Sequence, residues 1–133
     1  MDGALAFFAP LLGQCFAATI APGTVDRHCF SDVYGGSHVR DVHVVTANGE
    51  QVYAGESIYS FNSTSVEFTY FNSMGGVGHG TAAPSGSSAD FAMTMQAKPG
   101  APSVAYRTRW TLGADHYDVA TDGKPAVRFT RTR

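Results

Sequence analysis

The chain has 133 residues, with 9 Lys and Arg against 11 Asp and Glu for a formal net charge of −2. That length suits one domain, residues 1–133, with a real core and is too short for two. No basic patch or tail speaks for nucleic acid or an anionic membrane, and no apolar run reaches the roughly 18 residues needed to span a bilayer. Fifteen Gly, abundant Thr, Val, Ser and aromatic residues, and few long Leu, Ala, Glu or Lys runs describe an all-β chain.

Asp2 is placed to cap a short helix over Ala4 to Leu11, which Pro10 limits to its first turns. The apolar stretch Ala4 to Leu12 has Asp2 and no Lys or Arg before it, so it reads as part of the fold, plugging or flanking one end of the sheet, rather than as a secretory leader. Strands follow at Gly13 to Ile20, Thr24 to Tyr34, His38 to Ala47, Glu50 to Phe61 and Val66 to Ser73. Ala21-Pro22-Gly23, Gly35-Gly36, Asn48-Gly49 and the tetrad Asn62 to Ser65 are the turns between them. Asn62-Ser63-Thr64 also matches the short glycosylation triplet, in a stretch already explained as a turn.

Beyond Gly75-Gly76, Val77 to Ala82 is a Gly-rich strand, and Ala83 to Asp90 reads as a mobile polar loop. Phe91 to Lys98 is a strand by its alternation of Phe91, Met93 and Met95 with smaller or polar residues. Val104 to Leu112, Tyr117 to Thr121 and Val127 to Thr130 complete about ten strands. A meander of that many hairpins removes its edges best by closing, so the expected fold is a single antiparallel up-and-down β-barrel with a short N-terminal helix.

Counting outward from the turns puts His28 opposite His43, Phe30 opposite Asp41, and Asp41 opposite Glu56. One face then carries Asp26, His28, Phe30, Asp41, His43, Glu56, Ile58 and Phe71; the other carries Arg27, Cys29, Arg40, Tyr53, Tyr59, Phe68 and Tyr70. Two imidazoles beside carboxylates allow three readings. They form a hydrogen-bonded structural or ligand-orienting pair. Alternatively they are an acid and a base, with Glu56 orienting one ring and Asp41 the other. Otherwise two imidazoles and one carboxylate hold a Zn²⁺-like ion with an open position. Cys15 and Cys29, in the first two strands, are either a cross-strand disulfide or two reduced thiols. No Gly-x-Ser-x-Gly elbow, phosphate loop, His-Glu-x-x-His or four-Cys spacing occurs, so nucleophilic hydrolysis and nucleotide use have no support.

Gly13-Gln14-Cys15-Phe16, the run of hairpins, and a basic last strand with Arg128 and Arg131 resemble the calycin group of lipocalin and fatty-acid-binding-protein barrels. More closely, Asp26-x-His28-x-Phe30, Tyr34-Gly35-Gly36, Arg40-Asp41-x-His43, Tyr53-x-Gly55-Glu56 and Tyr59 are similar to small bacterial lipocalin-like proteins. Gly13-x-x-Phe16 stands where lipocalins have Gly-x-Trp, and the strand-one pattern of the haem-binding nitrobindins is absent. The resemblance implies that Phe16, opposite His28, points inward, which makes the His-bearing face the lumen. It also implies that Arg128 or Arg131 caps a ligand carboxylate.

On this reading the barrel binds a small, largely apolar or amphipathic ligand through Phe16, Asp26, Phe30, Ile58, Phe71, Trp110 and Arg128. The alternatives are a small isomerase or cyclase using His28, His43, Glu56 and Asp41, and an interaction module, a homodimer for example, acting through an outer face of Tyr and Phe. No cofactor is identified and no metal ligands are assigned. The compartment expected is the cytoplasm, or the periplasm or exterior if Cys15 and Cys29 are bridged.

Overall fold

The computed structural model describes residues 3–133. The cap expected from Asp2 lies outside the described residues. A 3₁₀ helix, Gly3–Leu11, precedes ten strands: β1 (Cys15–Ala21), β2 (Thr24–Val33), β3 (His38–Ala47), β4 (Glu50–Phe61), β5 (Val66–Asn72), β6 (Val77–Ser85), β7 (Ser88–Gln96), β8 (Ser103–Leu112), β9 (His116–Thr121) and β10 (Val127–Arg131). Each strand pairs antiparallel with its sequence neighbour, and β1 pairs with β10, so the sheet closes as an up-and-down barrel. Among the described residues no helix is long and apolar enough to cross a membrane.

The turn chemistry explains the meander. Asn48 and Gly49 both take positive φ, 52° and 83°, as the turn between β3 and β4 requires. The turn between β2 and β3 is wider than a two-residue loop: Val33 pairs with His38, and Tyr34, Gly35 and Gly36 all sit in the left-handed region. It keeps the same centre, so the pairing of the two strands is unaffected. The stretch Ala83 to Asp90 is not a loop. Ser85 pairs with Ser88 across a tight turn at Gly86, whose φ is 62°, and buried Ala82 and Ala89 hold the two arms of the hairpin to the core.

The N-terminal segment closes one end. Leu5, Phe8 and Leu11 are three residues apart, the period of a 3₁₀ helix, and all three are almost fully buried. Phe8 packs 4.5 Å from Tyr59 and edge-on to Trp110. Above it runs a stack of rings: Phe91 on Trp110 at 4.5 Å, Trp110 on Tyr117 at 5.0 Å, and Tyr117 on Phe129 at 5.1 Å and 9°. Such pairs add about 0.5–1.5 kcal/mol each beyond their buried area. Phe16 and Phe30 belong to this packed floor, 3% and 2% exposed.

Cys15 and Cys29 face each other across β1 and β2 and are joined as a disulfide. In the chain-entropy account, closing a loop of this size is worth about 3 kcal/mol.

Candidate functional site

His28 on β2 and His43 on β3 are direct cross-strand partners, as are Phe30 and Asp41. Their rings stack with centroids 4.5 Å apart. The next strand departs from the simple count. Val45 pairs with Tyr53 while Thr46 pairs with Gln51, so Val52 is an extra residue, a bulge that leaves it 59% exposed. One added residue turns every later side chain of β4 to the opposite face. Asp41 therefore lies opposite Ser57, and Glu56 opposite Val42.

The bulge corrects several expectations at once. Glu56 faces outward and pairs with Arg40, so it takes no part in the histidine cluster. Ile58 joins it on the outer face beside Thr69 and His79, and Phe71 is 49% exposed. Tyr53, Tyr59, Phe68 and Tyr70 turn inward instead. The outer aromatic face, and the self-association argued from it, lose their basis. Arg128 also lies outside, bidentate to Asp118 at 2.8 and 3.1 Å, while its neighbour Phe129 fills the core.

Inside the barrel, polar side chains form one continuous chain. His28 Nδ1 lies 2.7 Å from Asp41 Oδ1, and His28 Nε2 lies 3.2 Å from Asp26 Oδ2. The other oxygen of Asp26 is 2.9 Å from His43 Nδ1. His43 Nε2 meets the Tyr70 hydroxyl at 2.8 Å, and that hydroxyl meets Tyr53 at 2.7 Å. A carboxylate only accepts, so His43 Nδ1 donates to Asp26; in a neutral ring Nε2 then accepts from Tyr70, which accepts in turn from Tyr53. Gly55 makes room for this chain. It pairs with His43, and a Cβ there would overlap both the Tyr70 hydroxyl and His43 Nε2.

Burial works against charge on His28, but the Asp41 carboxylate and hydrogen bonds to Asp26 and Asp41 overcome it and push the imidazole up to about 10. Burial likewise opposes the charge on Asp26, and the hydrogen bonds from His28 and His43 hold its carboxyl well below the usual range. His28 is thus an imidazolium bracketed by two carboxylates, which suits an ionic clamp better than a proton donor in turnover. Burial pushes the Tyr70 phenol above its ordinary value, keeping it a neutral donor.

This chain forms one wall of a cavity of about 390 Å³. Tyr59, Phe68, Phe91 and Trp110 make its floor, Met93, Met95, Tyr106 and Thr108 its opposite wall, and Thr121 and Lys124 reach it from the β9 to β10 turn. The mouth lies at that end, away from the N-terminal plug. Of the expected ligand contacts Trp110 lines the cavity, and Asp26 is the hub between the two histidines. The Met and Tyr wall was foreshadowed only by the alternation of Phe91, Met93 and Met95, while Lys124 and Thr121 carried no advance signal. Neither a protein-family model nor a curated protein matches the chain.

Proposed function

We propose that the protein is a small-molecule-binding barrel of the calycin-like kind, holding an amphipathic ligand in its lumen. The observation that carries this reading is a cavity with two unlike walls. The apolar side of Met93, Met95, Tyr106 and Trp110 suits a flat hydrocarbon or aromatic body. The hydroxyls of Tyr53 and Tyr70 offer hydrogen bonds to a polar head. The Cys15–Cys29 bridge favours an oxidising compartment, periplasmic or extracellular, over the cytoplasm.

A direct test uses the apolar dye Nile red as probe. The wild type is expected to bind it with 1:1 stoichiometry and enhanced emission, and Met93→Trp, which fills the lumen, to abolish that binding while the protein stays folded by circular dichroism. Equal binding by the two proteins would put the dye on the outside and overturn the proposal.

The second reading, an isomerase or cyclase, is favoured by one contact: His43 Nε2 on the Tyr70 hydroxyl beside the cavity. In that version Tyr70 and His43 exchange a proton with the ligand, Asp26 orients His43, and Glu56 is a bystander. Conversion of a retained ligand, seen as a mass or spectral change that Tyr70→Phe stops, separates catalysis from storage.

A further inference from the structure

We propose that Asp26, His28 and His43 form a binding site for one first-row divalent transition ion of the Zn²⁺ type, with Asp41 and Tyr70 as the outer partners of the two imidazoles. A carboxylate oxygen of Asp26, one nitrogen of His28 and one of His43 lie within 4.8 Å of one another. The nitrogens that meet Asp26 are Nε2 of His28 and Nδ1 of His43, on stacked rings whose backbones are fixed by direct pairing of β2 and β3. Donor atoms so gathered need only side-chain adjustment to close on an ion at the usual distances of roughly 2.0–2.2 Å.

The independent observation concerns the far side of each ring. Metal-bound histidines almost always have their second nitrogen hydrogen-bonded, which fixes the tautomer and strengthens the ligand. Both rings here have such a partner: Asp41 Oδ1 sits 2.7 Å from His28 Nδ1, and the Tyr70 hydroxyl 2.8 Å from His43 Nε2. With a metal on Nδ1, His43 donates from Nε2 to the Tyr70 oxygen, and Tyr70 passes its own hydrogen to Tyr53. The hydroxyl pair accommodates either direction.

Charge counting agrees. The ion displaces the Nε2 proton of His28 to solvent, and His28 keeps its Nδ1 hydrogen on Asp41; two neutral imidazoles and one divalent cation then cancel the two negative charges that Asp26 and Asp41 bring into the interior, as buried charge requires. The donor set selects the ion. Two imidazoles and one carboxylate suit Zn²⁺, Co²⁺, Ni²⁺ or Fe²⁺, whereas Ca²⁺ and Mg²⁺ want more oxygens, and the thiols that would attract Cu⁺ are tied up in the disulfide. Because His28 and His43 both line the cavity, the ion has an open position facing the lumen.

The test is titration of chelator-treated, disulfide-intact protein with Co²⁺ and Zn²⁺. The expected result is one equivalent of Co²⁺ with visible d–d absorption, displaced by Zn²⁺, and one bound Zn²⁺ by native mass spectrometry. Asp26→Asn and His43→Gln should lose the site. Asp41→Asn and Tyr70→Phe should keep the stoichiometry and bind about 10–100-fold more weakly. His79→Gln and His116→Gln, which alter histidines outside the lumen, should bind as the wild type does. If Asp26→Asn fails to fold, Tyr70→Phe, which removes one oxygen, still decides. Absence of stoichiometric uptake by the folded wild type, unchanged affinity in Tyr70→Phe and Asp41→Asn, or loss in the His79 or His116 variants would each overturn the site. Nile red binding by the metal-free wild type is measured apart from ion uptake, so failure of the ion site and failure of the ligand cavity are distinguishable.

Discussion

Tyr117 and Tyr70 both point into the barrel, and the difference between them separates its floor from the wall above. Tyr117 is 1% exposed, sandwiched between Trp110 and Phe129, and among the described residues its hydroxyl is the buried side-chain polar atom with no hydrogen-bond partner. Tyr70 is half-buried and its hydroxyl touches both His43 and Tyr53. The floor is organised by ring packing and tolerates an unmet hydroxyl; the wall is organised by hydrogen bonds and spends its burial on keeping charges together. Packing stability should therefore reside mainly in the first region and the pH dependence of stability in the second.

The largest expected effect breaks the floor. Phe8→Ala removes a fully buried ring that touches Tyr59 and Trp110, and should cost about 3–5 kcal/mol in urea or thermal unfolding. A loss below about 1 kcal/mol would mean that the N-terminal segment does not hold the barrel shut.

Next comes the wall. For metal-free protein, the folded state keeps a proton on His28 up to about 10, while the unfolded chain releases it near about 6.5. The folded state binds more protons between those values, so the contribution of His28 to stability is full below about 6.5 and is lost as pH rises through 10. The groups facing His28 are Asp26, Asp41 and His43, and Asp26 acts oppositely: its contribution is present above the ordinary carboxylate range and lost in strong acid. Unfolding measured from pH 6 to 10.5 should show wild-type stability falling along this limb more steeply than that of His28→Gln. Parallel curves would sink the ionic clamp.

Smaller changes sharpen the contrast. Tyr117→Phe removes the unpaired hydroxyl and should raise stability by about 1 kcal/mol, because a buried polar group without a partner carries its desolvation cost uncompensated. A destabilised variant would show that this hydroxyl does have a partner in solution. Smallest is Glu56→Gln on the outer face, which should alter stability by less than about 1 kcal/mol and leave Nile red binding unchanged. Loss of dye binding would return Glu56 to the lumen and refute the bulge.

That bulge marks where the sequence stopped being readable. The barrel and most of its turns follow from hairpin residues, and the pairs His28 with His43 and Phe30 with Asp41 follow from a loop whose width differed but whose centre did not. Nothing about Val52 announces an inserted residue; a valine is equally at home in a regular ladder. From that position onward Glu56, Ile58 and Phe71 exchanged faces with Tyr53, Tyr59, Phe68 and Tyr70. The hub role of Asp26 was equally hidden, since it depends on two rings converging on its two oxygens and not on pairing.

The plug formed by Leu5, Phe8 and Leu11 also has a kinetic meaning. With one end sealed, the interior is a cup and not a pipe, so whatever enters must leave past the same rim near Lys124 and Tyr106. Two guests cannot pass one another. On the ligand-binding proposal, two such guests compete whatever groups they touch, and residence time is governed by the rim even where affinity is governed by the wall below it.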